Sequence, residues 1–179
     1  MNLVFPPVKL SPELKLQQAR HAVRVCACFS LRRASRAVTL IYDDALAPLG
    51  LSSGQFVLLL AVRLRGETSQ QQLADTVWTD HSVMSRTVRP LEERGLLKIM
   101  PGRDRRIRKV TLSPAGHRLL LSAHASWQQA QARMTRLLGA PRLGRLLSAL
   151  DQSLRNIQPK SPAHGRRVRP EQVSTRRRR

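Results

Sequence analysis

Apolar residues return every third or fourth position over most of the chain, the period of helices that bury one stripe. Ser11-Pro12-Glu13 reads as a helix start, with proline at the first helical position. From Glu13 to about Ala47 there is no glycine or proline. That span is long for one helix, so a break is expected near Cys26 to Ser30. Pro48-Leu49-Gly50 marks a stop. Ser52 and Ser53 open a second helix through Leu64, with Phe56, Leu59, Leu60 and Leu64 as its apolar face, and Gly66 ends it. Glu67 to Ser69 is a short link able to pair as a brief strand. Ser69 is placed to cap a helix from Gln70 to about Val77, which buries Leu73, Ala74 and Val77. Trp78 and Thr79 turn the chain. Asp80 is placed to cap the next helix, His81 to about Arg94, which Gly95 closes. Two short helices joined by a tight turn form a helix-turn-helix candidate.

The pattern then changes. Leu96 to Met100 reads as a strand, and Pro101 to Arg106 as a turn with four charges. Ile107 to Leu112 reads as the return strand, with Val110 and Leu112 facing inward. A basic hairpin directly after a helix-turn-helix is a wing. Ser113 and Pro114 open a long helix to about Leu138, with Leu119, Leu120, Ala123, Trp127, Ala130 and Met134 on one face. Gly139 to Pro141 breaks it, and a last helix runs from about Arg142 to Ile157. The expected fold class is mainly α, a winged helix-turn-helix with a small β wing and long terminal helices. Residues 1–25 form a partly helical extension, 26–158 the main domain with its reader at about 52–113, and 159–179 a disordered basic tail. The reader does not need three extra apolar helices. They pair with a second subunit or form an intramolecular cap, and the homodimer is the expectation taken forward.

Charge sharpens this picture. The 179 residues carry 32 Lys or Arg against 11 Asp or Glu, a net +21. Residues 160–179 hold eight of the basic residues against Glu171, so the body is basic by itself. The balance points to a polyanion, with nucleic acid first. The tail is too poor in large apolar residues to offset the entropy of ordering, and adds phosphate attraction without sequence preference. No stretch approaches the roughly 18 apolar residues of a membrane span. Pro6 and Pro7 stand where a signal peptide would have its apolar core. A cytoplasmic protein without a membrane partner is expected.

The helix from His81 separates into two faces. Met84, Val88 and Leu91 form a core stripe. Ser82, Ser85, Arg86 and Arg89 fall opposite, giving short hydroxyls for close approach to a major groove and guanidinium groups for guanine edges and phosphates. A solvated amphipathic helix has the same pattern, and the wing decides in favour of DNA. Arg103, Arg105 and Arg106, with Asp104 among them, crowd the hairpin tip, and such a tip suits the negative potential of a minor groove.

In order and spacing, Ser82 to Arg86, then Leu91-Glu92-Glu93-Arg94-Gly95-Leu96-Leu97, then Asp104-Arg105-Arg106 resemble the MarR family of transcriptional regulators, over roughly Cys26 to Ile157. The resemblance implies a homodimer on a pseudo-palindromic double-stranded operator, usually as a repressor. It also implies that Arg106 is the wing arginine, oriented by Asp104. Two positions depart from the family pattern. Trp78 stands where the turn usually has glycine, and Pro90 lies inside the recognition helix, where it tends to kink.

Cys26 and Cys28 are too few for a disulfide scaffold, and a zinc site would need further ligands beside His21. Two positions apart on one helix, they would point to different faces. One reading makes both small buried hydrophobes. The other comes from resemblance. Cys28-Phe29 through Ser35-Arg36 and then Tyr42 is similar to the opening of the organic-hydroperoxide-sensing branch, which implies that Cys28 is oxidised and that Tyr42 is one of its partners. Arg32 and Ser53 occupy the places of the other aromatic partners, and Arg32 would favour a thiolate.

No catalytic constellation, phosphate loop or metal motif is legible, so neither enzyme activity nor a cofactor is expected. A DNA-binding regulator released by a small molecule or an oxidant is the leading reading. An architectural nucleic-acid protein with little sequence preference is the alternative.

Overall fold

The computed structural model describes residues 15–102 and 108–157. The elements follow in the order α1 (Leu16–Val25), α2 (Ala27–Leu46), α3 (Ser53–Arg65), β1 (Thr68–Ser69), α4 (Gln70–Val77), α5 (His81–Glu93), β2 (Leu97–Pro101), β3 (Arg108–Leu112), α6 (Pro114–Leu138) and α7 (Ala140–Ile157). A 3₁₀ turn, Ala47–Leu49, joins α2 to α3. The fold is mainly α, a winged helix-turn-helix flanked by long helices.

Local chemistry explains most boundaries. The expected break falls at Cys26, which is extended (φ −73°, ψ 108°), ends α1 and caps α2; its Sγ accepts from the Phe29 N–H at 3.4 Å. The helix start expected at Ser11 to Glu13 lies outside the described residues. Ser52 with Gln55, and Ser69 with Gln72, form reciprocal capping boxes that open α3 and α4. Asp80 stands at the start of α5 but makes no side-chain cap; only its carbonyl joins the helix, accepting from Met84 N–H. α7 begins two residues earlier than expected. Gly139 alone makes the break (φ 77°), and Pro141 sits in the first turn, where its missing N–H costs nothing.

The three strands form one antiparallel sheet in the order β1-β3-β2, with Val110 paired to Thr68 on one side and Ile99 on the other. The core runs from Leu46 and Leu51 through α3, Leu73 and Ala74, then Met84, Val88 and Leu91, to Val110 and Ala123. The apolar face expected on α3 is rotated in part. Leu64 is exposed and Leu60 half-buried, whereas Phe56, Leu58, Leu59, Ala61 and Val62 are buried. An all-round apolar helix hides which stripe the neighbours cover, and here α4, α5, α6 and β3 cover the broader one.

α6 leaves the wing at a close approach. The Ser113 hydroxyl accepts from the Gly116 N–H (2.9 Å) and donates to the Gly95 carbonyl (2.6 Å), tying the start of α6 to the end of the recognition helix. A Cβ on Gly116 would lie 2.1 Å from the Leu96 carbonyl oxygen, so only glycine fits. From there α6 packs along α2, and α7 folds back on α6.

Candidate nucleic-acid interface

The recognition helix α5 is fixed by one face. Met84, Val88 and Leu91 are buried, which turns Ser82, Arg86 and Arg89 to solvent. The helix continues through Pro90 to Glu93. Its lead-in is unusual. Trp78 ends α4 in the left-handed region (φ 55°, ψ 51°), alone among the described non-glycine residues. Its N–H still bonds the Ala74 carbonyl, so the turn keeps the glycine conformation at a cost of about 1–2 kcal/mol.

The four expected α5 residues differ in what they offer. Ser85 is half-buried and donates to Gln70 Oε1 at 2.9 Å, which pins α5 to the first turn of α4. Arg86 is exposed, and its Nε donates to the Ser82 carbonyl one turn back, at 3.2 Å. Arg89 is paired with Glu93 at 2.7 Å. The Glu93 hydrogen bond and charge raise the Arg89 pKa, holding it in the charged form. Arg103, Asp104, Arg105 and Arg106 lie outside the described residues.

Beside α5, sequence reasoning missed a groove of about 600 Å³. Gln70, Gln71, His81, Arg108 and Lys109 line it, so it runs between the start of both reader helices and the base of the wing. Lys109 is ion-paired there with Glu67. The signal was present in the amide run Gln70 to Gln72, since such side chains pair with adenine edges.

Solved structures place this arrangement. Residues 51–107 match the MarR family model. The DNA-bound M. tuberculosis transcriptional regulator MosR is 30% identical, with a TM-score of 0.64 over 75% of this chain and 99% of that one. The chain belongs to the MarR family of transcriptional regulators. The transcriptional repressor CouR, bound to a 23-mer DNA duplex, is 26% identical with a TM-score of 0.67 over 79% of this chain and 98% of that one. A MarR variant from E. coli complexed with operator DNA shares the fold at 19% identity, with a TM-score of 0.68 over 74% of this chain and 96% of that one. Among curated proteins none matches this chain.

In this MarR-family chain the cysteines stand differently from the expectation. Both thiols are exposed, not buried. Cys26 is the cap between two helices, so the pair does not share one helix; Cys28 is the second residue of α2. The Arg33 guanidinium lies over the Phe29 ring at 5.5 Å. Tyr42 is fourteen residues further along the same helix, about 21 Å at the helical rise, so one chain does not bring it to Cys28. Instead its hydroxyl donates to Gln131 Oε1 at 2.5 Å, clasping α2 to α6, and burial raises its pKa.

Tyr42 also lines a cavity of about 580 Å³ between α2 and the reader, the second feature that sequence reasoning left unplaced in residues. Phe56 and Val57 of α3, Val83 and Met84 of α5 and Trp127 of α6 give it an apolar wall. Hydroxyls of Thr39, Tyr42, Ser53, Thr79 and Thr87 interrupt that wall. The cavity therefore touches the recognition helix and both long helices at once. Among the described residues no single helix is long and apolar enough to cross a membrane, and no cluster of metal-binding side chains occurs.

Proposed function

We propose that this MarR-family protein is a sequence-specific DNA-binding repressor of transcription that acts as a homodimer in the cytoplasm, without enzymatic activity. The observation that carries the reading is the solvent face of α5, where Arg86 stands exposed on a helix pinned by its opposite face. Ser82, Arg86 and Arg89 enter the major groove, with Arg86 reading bases. Ser85 positions the helix. Arg103, Asp104, Arg105 and Arg106 serve the minor groove, and the tail from residue 159 adds affinity without specificity. The functional unit is residues 26–158.

Exposed apolar side chains support the dimer. Leu16, Val23 and Val25 of α1, then Leu146, Leu147, Leu154 and Ile157 of α7, all lie uncovered in one chain. A surface this apolar on the terminal helices fits burial against a second copy. Two readers on one twofold axis would meet successive major grooves about 34 Å apart. Release occurs when a small molecule fills the cavity between α2 and the reader. A second route is oxidation of the exposed Cys28, on which peroxide would release the wild type but spare Cys28→Ser.

Footprinting of the purified protein on fragments of its own genome tests the reading. Two protected half-sites of opposite orientation, one helical turn apart, are expected. Uniform protection along any fragment would favour the architectural alternative.

A further inference from the structure

The cavity between α2 and the reader has a chemistry that restricts what it can hold. Among the described residues its lining contains no lysine, arginine, aspartate, glutamate or histidine, although the chain carries a net charge of +21. Titratable side chains contact the lining from outside at two points on the described residues. The Asp43 carboxylate accepts from the Ser53 N–H at 2.6 Å, and the His124 ring lies 5.4 Å from that of Trp127. The closer of these contacts places a negative charge at the rim.

The hydroxyls narrow the choice further. Tyr42 donates its proton to Gln131 Oε1, and Thr87 donates its own to the Val83 carbonyl at 3.0 Å. Neither hydroxyl therefore has a proton to spare, and each oxygen keeps lone pairs that can accept. Burial holds Tyr42 in its neutral form, so it adds no charge. A carboxylate entering this space would lose its water and meet no cation in the lining, and neither Tyr42 nor Thr87 would have a proton left for it. A neutral molecule with an N–H or O–H would meet acceptors that suit it, and the apolar wall would cover the rest. The volume lies within the usual range for small-molecule sites, about 300–1,000 Å³.

We propose that the effector cavity of this protein selects a neutral, predominantly apolar molecule that carries a hydrogen-bond donor, and rejects organic anions. The proposal rests on the reading of the cavity as the effector site. It assigns the ligand class from the lining and its contacts: acceptors at Tyr42 and Thr87, the Asp43 carboxylate bonded to Ser53, and an apolar wall from Phe56 to Trp127.

Calorimetric titration of the full chain with three probes of one shape tests it: naphthamide (neutral, donor), methyl naphthoate (neutral, no donor) and naphthoate (anion). Measured near pH 8, naphthamide should bind at least about tenfold more tightly than naphthoate, and several-fold more tightly than the ester. Val38→Trp, which fills the cavity from α2, should abolish naphthamide binding; Val57→Trp, at a half-exposed position on α3, does the same from the other wall. Naphthoate binding as tightly as naphthamide overturns the proposal, as does an equal ester, no binding of naphthamide at millimolar concentration, or binding that survives both filled variants. DNA release is read separately. Naphthamide that binds as expected yet leaves the protein–DNA complex intact would sink the effector reading while leaving the ligand class standing.

Discussion

The Arg94 guanidinium donates to the Gly50 carbonyl at 2.6 Å and to the Leu49 carbonyl at 3.3 Å, joining the end of the recognition helix to the turn that follows α2. Gly50 is left-handed (φ 64°), which aims its carbonyl at the arginine. The tie spans 44 residues of sequence and links the long helix to the reader. Arg94→Ala should cost about 1 kcal/mol of stability, since the site is exposed. It should weaken DNA binding more than that, because α5 loses its angular anchor. Denaturant unfolding and DNA titration of the same preparation check the difference; equal losses would make Arg94 merely a stabilising residue.

Gly116 marks the other end of the reader. With a Cβ only 2.1 Å from the Leu96 carbonyl oxygen, backbone must move against backbone. Gly116→Ala is expected to destabilise the fold by about 3 kcal/mol, visible as a lower unfolding midpoint. A midpoint unchanged from wild type would mean that α6 and β2 separate freely.

The elements were legible in sequence wherever the signal is local. Both helix starts read from Ser52 and Ser69 form, each closed by a glutamine three residues on, Gln55 and Gln72. The period-2 stretch at Leu97 to Met100 became a strand because its partner strand follows within one hairpin. What stayed hidden is non-local. Tyr42 meets Gln131 across 89 residues, and no spacing announces that contact. The cavity draws its wall from five helices, so none of its residues stands out alone. Similarly, the bond from Ser85 to Gln70 spans 15 residues, and no spacing announces it. The Arg89–Glu93 pair, by contrast, is local at i,i+4, and a DNA phosphate at Arg89 would have to compete with it.

That last pair gives a prediction of unusual direction. DNA phosphates must compete with Glu93 for Arg89, so Glu93→Gln should raise DNA affinity and steepen its salt dependence. Arg86→Ala should instead cost about 1–3 kcal/mol of binding and relax the preferred sequence. Gel-shift titrations at several salt concentrations distinguish the two; a Glu93→Gln protein that binds more weakly would show that the pair orients Arg89 for DNA.

Tyr42 is the one tyrosine in the chain, so tyrosinate absorbance reports on it alone. Burial raises its pKa, which means that the folded protein holds the phenolic proton more tightly than the unfolded chain. The corresponding stability is present below about pH 10 and lost as pH rises through the raised value. Tyr42→Phe should lose about 1 kcal/mol at neutral pH with the Gln131 bond, and should show a shallower loss of stability above about pH 10 than wild type. Parallel curves for the two proteins in that alkaline range would remove the clasp from the account.

Base discrimination by α5 separates a regulator from a general polyanion binder, and competition binding measures it directly. Labelled operator, recovered from the footprinted fragments, is titrated with the full chain at physiological salt while unlabelled DNA of scrambled sequence competes. A preference for the operator of about 10³-fold or more is predicted, and it should persist when the tail from residue 159 is removed. Scrambled DNA that displaces the operator at equal concentration would contradict the account and make charge, not sequence, the basis of binding.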